Sequence, residues 1–188
     1  MSTTTPHMSA EDCRQRATTR GTVIIAEAAP LSSLWAAGRL HKLLTLDMSI
    51  VIVDVIYDQL TRDQTNRMSQ TVKALIDGHQ PPFVIASTEI GEFEREKRRN
   101  GQATKSNAVE LGAADFMSSD EGLRHYVSSG EPVLIMSDNA GLRLFNGPAN
   151  LHVVSSKGLF TRAGTPDINE PGTGQQSRPA GPIETTNG

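Results

Sequence analysis

The sequence predicts an α/β fold of three layers, with a mainly parallel central sheet between two layers of helices. Two observations carry this expectation. Five short runs of β-forming residues, Thr22–Ala26, Ile50–Val53, Phe83–Ala86, Val133–Met136 and Leu151–Val154, are apolar but for Thr22 and His152, and the first reads as a continuous apolar run rather than an alternating one. Strands buried on both faces read this way. Segments with helical spacing and helix stop signals separate these runs. Short strands that alternate with helices imply parallel strands joined by crossovers.

Taken in order, the first run leads through Glu27 to Pro30, which suits the first turn of a helix. Leu31, Leu34 and Trp35 then fall at helical spacing, and Gly38 reads as the residue that stops the helix. Trp35 reads most simply as core packing. Leu40, Leu43 and Leu44 make a short helical turn before the second strand. Asp54 reads as the cap of a helix carrying Val55, Ile56 and Leu60. The stretch from Asn66 to Asp77 is amphipathic, with Met68, Val72, Leu75 and Ile76 on one side and Gly78 as its stop.

After Gln80-Pro81-Pro82 and the third strand, residues Glu89 to Asn100 form a highly charged helix followed by Gly101. Its plain reading is a solvated face with i,i+4 pairs. Its functional reading is a basic edge, Lys97-Arg98-Arg99, that grips phosphates. Further helices are expected over Thr104–Gly112, from Ser118 to Ser128, and over Ala140–Phe145. Residues 1–20 are polar, without periodicity, and read as a flexible arm. Residues 164–188 are Gly, Pro, Thr and Gln with almost no apolar side chains, which predicts a disordered tail. The folded domain is therefore expected over 21–163.

Composition narrows the chemistry. The chain has 188 residues and a formal net charge of −3, so any nucleic-acid contact must be a local patch. Its one cysteine, Cys13, allows neither an internal disulfide nor a cysteine-based zinc site, and fits a reducing cytoplasm. The apolar runs fall far short of the roughly 20 residues that cross a bilayer. The region 1–20 lacks the apolar core of a signal peptide. His41, His79, His125 and His152 are scattered, without metal-pair spacing. No Gly-x-Gly-x-x-Gly or P-loop pattern follows any strand, which counts against a Rossmann-like nucleotide binder.

What remains is a set of acids. Glu27 ends the first strand, Asp138 ends the fourth, and Asp120 with Glu121 opens the helix that feeds it. In open α/β sheets, chemistry collects outside the carboxyl ends of the strands. Carboxylates brought close together repel unless a cation lies between them. A set of acids without His or Cys is matched to hard cations such as Mg²⁺ or Mn²⁺. Each acid also has a structural alternative. Asp138 suits a helix cap, Ser118-x-x-Glu121 has the form of a capping box, and Ser137 is a surface hydroxyl unless it orients Asp138 or contacts a phosphate. Asp115 is a spare acid nearby, and Glu89 and Glu92 suit a solvated first helical turn.

Residues 22 to about 160 resemble a PIN domain, the nuclease fold of the VapC-type toxins of toxin–antitoxin pairs. The resemblance rests on Val23-Ile24-Ile25-Ala26-Glu27-Ala28-Ala29-Pro30-Leu31, on Ile52-Val53-Asp54-Val55-Ile56-Tyr57-Asp58-Gln59-Leu60, on Asp120, and on Val133-Leu134-Ile135-Met136-Ser137-Asp138-Asn139. It implies a metal-dependent endoribonuclease, often dimeric and often held by a small antitoxin. Glu27, Asp120 and Asp138 would hold Mg²⁺ or Mn²⁺, and Lys97, Arg98 and Arg99 would hold RNA. Two positions depart from the family pattern. Glu27 stands where PIN domains usually have Asp, and Gln59, beside Asp58, stands where they have the second acid. Losing one negative ligand weakens metal binding. The alternative is thus a catalytically degenerate PIN domain that binds RNA or a protein partner without cleavage.

Overall fold

The computed structural model of this chain describes residues 21–139 and 147–160. The arm over 1–20 with Cys13, the helix expected at Ala140–Phe145 and the tail over 164–188 lie outside the described residues. Five strands form one parallel sheet: β1 (Thr22–Ile25), β2 (Ser49–Val53), β3 (Phe83–Ala86), β4 (Val133–Met136) and β5 (Leu151–Val154), in the order β3-β2-β1-β4-β5. All five agree with the apolar runs to within a residue. The central β1 explains why such runs are continuous: Val23, Ile24 and Ile25 are each 0% exposed, between β2 and β4 and covered on both faces. Each fully buried aliphatic side chain of this kind contributes about 1.5–3 kcal/mol of hydrophobic stabilisation.

The helices are α1 (Ala29–Ala36), α2 (Asp54–Thr61), α3 (Arg67–Gly78), α4 (Glu89–Arg99), α5 (Ala108–Ser118) and α6 (Leu123–Ser128), with short 3₁₀ turns at Leu40–Thr45 and Gly158–Phe160. The steps β1→β2→β3 run one way along the sheet and β3→β4→β5 the other. Right-handed crossovers therefore put the connecting helices on opposite faces. α1 packs on α3, while α4 packs on α5 and α5 on α6; α2, which starts directly after β2, touches both α3 and α5. This is the three-layer α/β/α arrangement. Among the described residues, no helix is long and apolar enough to cross a membrane.

Local signals account for most helix ends. Gly38 has φ +67°, the left-handed conformation of a C′ residue. The Asn66 side chain accepts from Met68 N at 2.8 Å and so caps α3. Thr88 caps α4 by accepting from Gly91 N at 3.0 Å. Three expectations are corrected. The helix expected at Thr104–Gly112 starts later, at Ala108, and runs to Ser118. The helix expected from Ser118 starts at Leu123, and Ser119 Oγ, not a Ser118–Glu121 box, accepts from Gly122 N at 3.1 Å. Asp54 is the first residue of α2 rather than its cap, and it is 1% exposed.

A polar clip joins α2 to α3. The Tyr57 hydroxyl donates to Asp77 Oδ1 at 2.7 Å and accepts from Lys73 Nζ at 3.1 Å. Burial, then the Asp77 hydrogen bond, raises the Tyr57 phenol above its ordinary value of 10.0. The Asp77 hydrogen bond, then that of Tyr57, raises Lys73 above 10.5. Both raised groups bind their protons more tightly folded than unfolded. Their contribution is therefore complete below about pH 10 and is lost as pH climbs through the folded values. Tyr57→Phe is expected to cost about 1 kcal/mol near pH 8. Urea titration near pH 11 should find a smaller gap from wild type; an equal or larger gap there would contradict the assignment.

Candidate functional site

The order in which strands are added to the sheet reverses at β1, so the carboxyl ends of β1 and β4 flank its switch point. In open α/β sheets this is where ligands bind. Ile24 pairs with Ile135 across these strands. Three residues beyond each partner stand Glu27 and Asp138, and the register alone brings them level. Glu27 Oε1 accepts from Asp138 N at 2.8 Å. The longer reach of Glu at this position is thus used to bridge the crevice to the opposite strand end. Glu27 Oε2 takes no hydrogen bond from the described residues.

The Asp138 carboxylate is held from the next strand. Ser156, two residues past β5 and 5% exposed, donates its N–H to Oδ1 at 2.9 Å and its hydroxyl to Oδ1 and Oδ2 at 2.8 Å each. Sequence reasoning missed Ser156. Its only signal is its place just after the last strand of a parallel sheet. Ser137 is buried; its Oγ accepts from Asn139 N at 3.1 Å and its N–H donates to Val154 O at 2.9 Å. The Ser137 hydroxyl therefore orders the loop behind Asp138 rather than facing solvent.

The remaining candidates lie elsewhere. Asp120 sits between α5 and α6 with its side chain 85% exposed, paired with Arg124 at 2.7 Å. Glu121 is exposed beside it. Among the described residues, no group of three or more His, Cys, Asp or Glu side chains is placed to hold a metal ion. Glu27, Asp120 and Asp138 are therefore not one cluster. At the switch point the contact runs from the Glu27 carboxylate to the Asp138 backbone N–H, while both Asp138 carboxylate oxygens accept from Ser156. Oxygen ligands of this kind are the type that hard divalent cations take.

A second polar cluster occupies the carboxyl ends of β2 and β3. Asp54 accepts from Val55 N at 2.8 Å, Thr88 Oγ1 at 2.8 Å and Thr88 N at 3.1 Å, and pairs with Arg95 at 2.7 Å. Asp58 pairs with Arg98 and lies 3.8 Å from Arg95. Gln59 is exposed. Gly91 passes so close to the Asp54 carboxylate that a Cβ there would overlap it. Glu94, 3% exposed, accepts from Lys105 N at 3.0 Å and pairs with Lys97 at 3.4 Å. Lys97 also lies 4.6 Å over the Phe93 ring. Of the basic run, Lys97 and Arg98 are thus neutralised by the domain's own acids, and Arg99 is exposed.

No protein-family model, no curated protein and no solved structure matches this chain.

Proposed function

We propose that this protein is a metal-dependent endoribonuclease of PIN type, with Glu27 and Asp138 as the ligands of one Mg²⁺ or Mn²⁺ ion. The observation that carries the reading is the meeting of these two carboxylate residues at the switch point, with Glu27 Oε1 on Asp138 N at 2.8 Å. A bound divalent ion supplies charge stabilisation at a phosphate and a more acidic water. The chain's own part is positioning. Ser156 holds the Asp138 carboxylate through its N–H and its hydroxyl, which restricts the rotamer. The Asp138 N–H holds Glu27 in turn. Ligands fixed in this way by neighbouring donors lose little freedom on taking up a cation. RNA is the proposed partner. A cytoplasmic setting, a small antitoxin and a second copy of the chain belong to the same reading.

The exposed Asp120–Arg124 pair and the neutral Gln59 favour a second reading, a degenerate PIN domain that binds RNA or a protein without cutting. Two measurements separate the readings. Single-stranded and structured RNA are incubated with the protein in Mg²⁺, Mn²⁺ or EDTA, beside Glu27→Gln and Asp138→Ala variants. Mn²⁺ binding is followed by electron paramagnetic resonance. The expected result is cleavage that requires metal and drops by at least about 100-fold in each variant, on the order of 3 kcal/mol of barrier, with weaker Mn²⁺ binding. A folded wild type that binds no Mn²⁺ and cuts no RNA would transfer the assignment to the degenerate domain. Cleavage that survives Asp138→Ala would remove the carboxylate pair from the mechanism.

A further inference from the structure

We infer that the cleft between α2, α4 and residues 104–109 binds a phosphodiester of single-stranded RNA. The cleft has a volume of about 300 Å³, at the lower end of the range for small-ligand sites. Three cations, Arg62, Arg98 and Lys105, line it against two carboxylates, Asp58 and Glu94. Both carboxylates are already engaged, Asp58 by Arg98 and Glu94 by Lys97 and the Lys105 backbone N–H. Arg62 and the Lys105 ammonium are exposed, and neither makes an ion pair with the described residues. The two uncommitted cations thus face the same cleft, from the end of α2 and from the segment that Glu94 anchors. Neutral donors accompany them: the Gln59 amide and the hydroxyls of Thr104 and Ser106 also line the walls. A cation with neutral donors beside it is what a phosphate oxygen takes from a protein.

Its place in the fold selects the ligand. α2 leaves β2 directly at the carboxyl edge of the sheet, and β2 pairs with β1, whose end carries Glu27. On the nuclease reading, an RNA chain that seats one phosphate at the Glu27–Asp138 pair brings further phosphodiesters of the same strand, and these are the ligands assigned to this cleft. The choice of RNA over a free nucleotide rests on the nuclease reading. The cleft also replaces Lys97 and Arg98 as the phosphate contact, because those two are consumed by Glu94 and Asp58.

The test is fluorescence anisotropy of a labelled single-stranded RNA in EDTA, where binding is read without cleavage. Arg62→Ala and Lys105→Ala are each expected to weaken binding about threefold. Each should also reduce the slope of log affinity against log salt by about 0.7. Arg39→Ala removes the same charge before the 3₁₀ turn at Leu40–Thr45, outside the cleft lining, and is expected to change neither. Urea midpoints check that all variants fold. The inference is overturned if wild type binds no RNA, if both cleft variants bind like wild type, or if Arg39→Ala weakens binding equally. A mononucleotide that binds as tightly as the RNA, with the same losses, overturns the RNA assignment. RNA binding through Arg62 and Lys105 without cleavage in Mg²⁺ supports the cleft and removes only the nuclease reading. Cleavage with unaltered binding in both variants removes only the cleft.

Discussion

Asp54→Ala is expected to destabilise the domain by about 3 kcal/mol, within the range of about 3–5 for removing one partner of a buried charge pair. The carboxylate is 1% exposed and takes three hydrogen bonds, from Val55 N, Thr88 N and Thr88 Oγ1, besides its Arg95 partner. Truncation strands the Thr88 donors in a buried setting, at about 1–3 kcal/mol each. The Arg95 side chain is 32% exposed and recovers water, which keeps the loss toward the low end of the range. A urea titration should show the midpoint falling by more than about 1 M. Asp54→Asn keeps one acceptor and should cost less. A loss below about 1 kcal/mol for the alanine variant would mean that α4 is held to β2 by packing alone.

Gly91→Ala is expected to destabilise by about 2 kcal/mol, against the usual sign. Alanine normally gains about 1 kcal/mol over glycine inside a helix. Gly91 lies in α4, yet its missing Cβ is where the Asp54 carboxylate sits. The added methyl must push the carboxylate off the Thr88 donors or lift α4 from the sheet edge, and overpacking of this kind costs about 1–3 kcal/mol. The two substitutions should therefore couple strongly. In an Asp54→Ala background the obstruction is gone, and Gly91→Ala should become neutral or stabilising. A double-mutant cycle by urea unfolding measures the coupling. Independent, additive losses would show that Gly91 is kept for another reason.

These two residues mark where sequence reasoning stopped. An acid directly after an apolar strand and before a helix has the pattern of an N-cap, so Asp54 read as one. Its actual partners, Thr88 and Arg95, are 34 or more residues away in the chain. The charged helix read most simply as a solvated face, with a phosphate-gripping basic edge as the functional alternative. Folding instead brings Asp58 to Arg98 across 40 residues and buries Glu94 beneath Lys97. The boundaries between 104 and 123 shifted for a similar reason. Lys105 N is tied to Glu94 Oε2 across 11 residues, which delays the start of α5. Gly122 packs tightly against the Phe116 carbonyl, so α6 starts only after it.

By itself the sequence determined the layer architecture and the positions of the described strands, because a strand covered on both faces must be largely apolar and its ends need turn residues. It also pointed to one sheet edge for Glu27 and Asp138, together with Asp120 and Glu121, because strand ends and the helix start that feeds a strand can meet there. Only the tertiary structure decided which acids meet. The register of β1 on β4 sets Glu27 level with Asp138, whereas Asp120, at the α5–α6 junction, pairs with Arg124 instead. It decided equally which cations are consumed and which face the cleft. Charge pairing depends on distances of a few ångströms between residues far apart in the chain, and hydrophobic pattern carries no record of those.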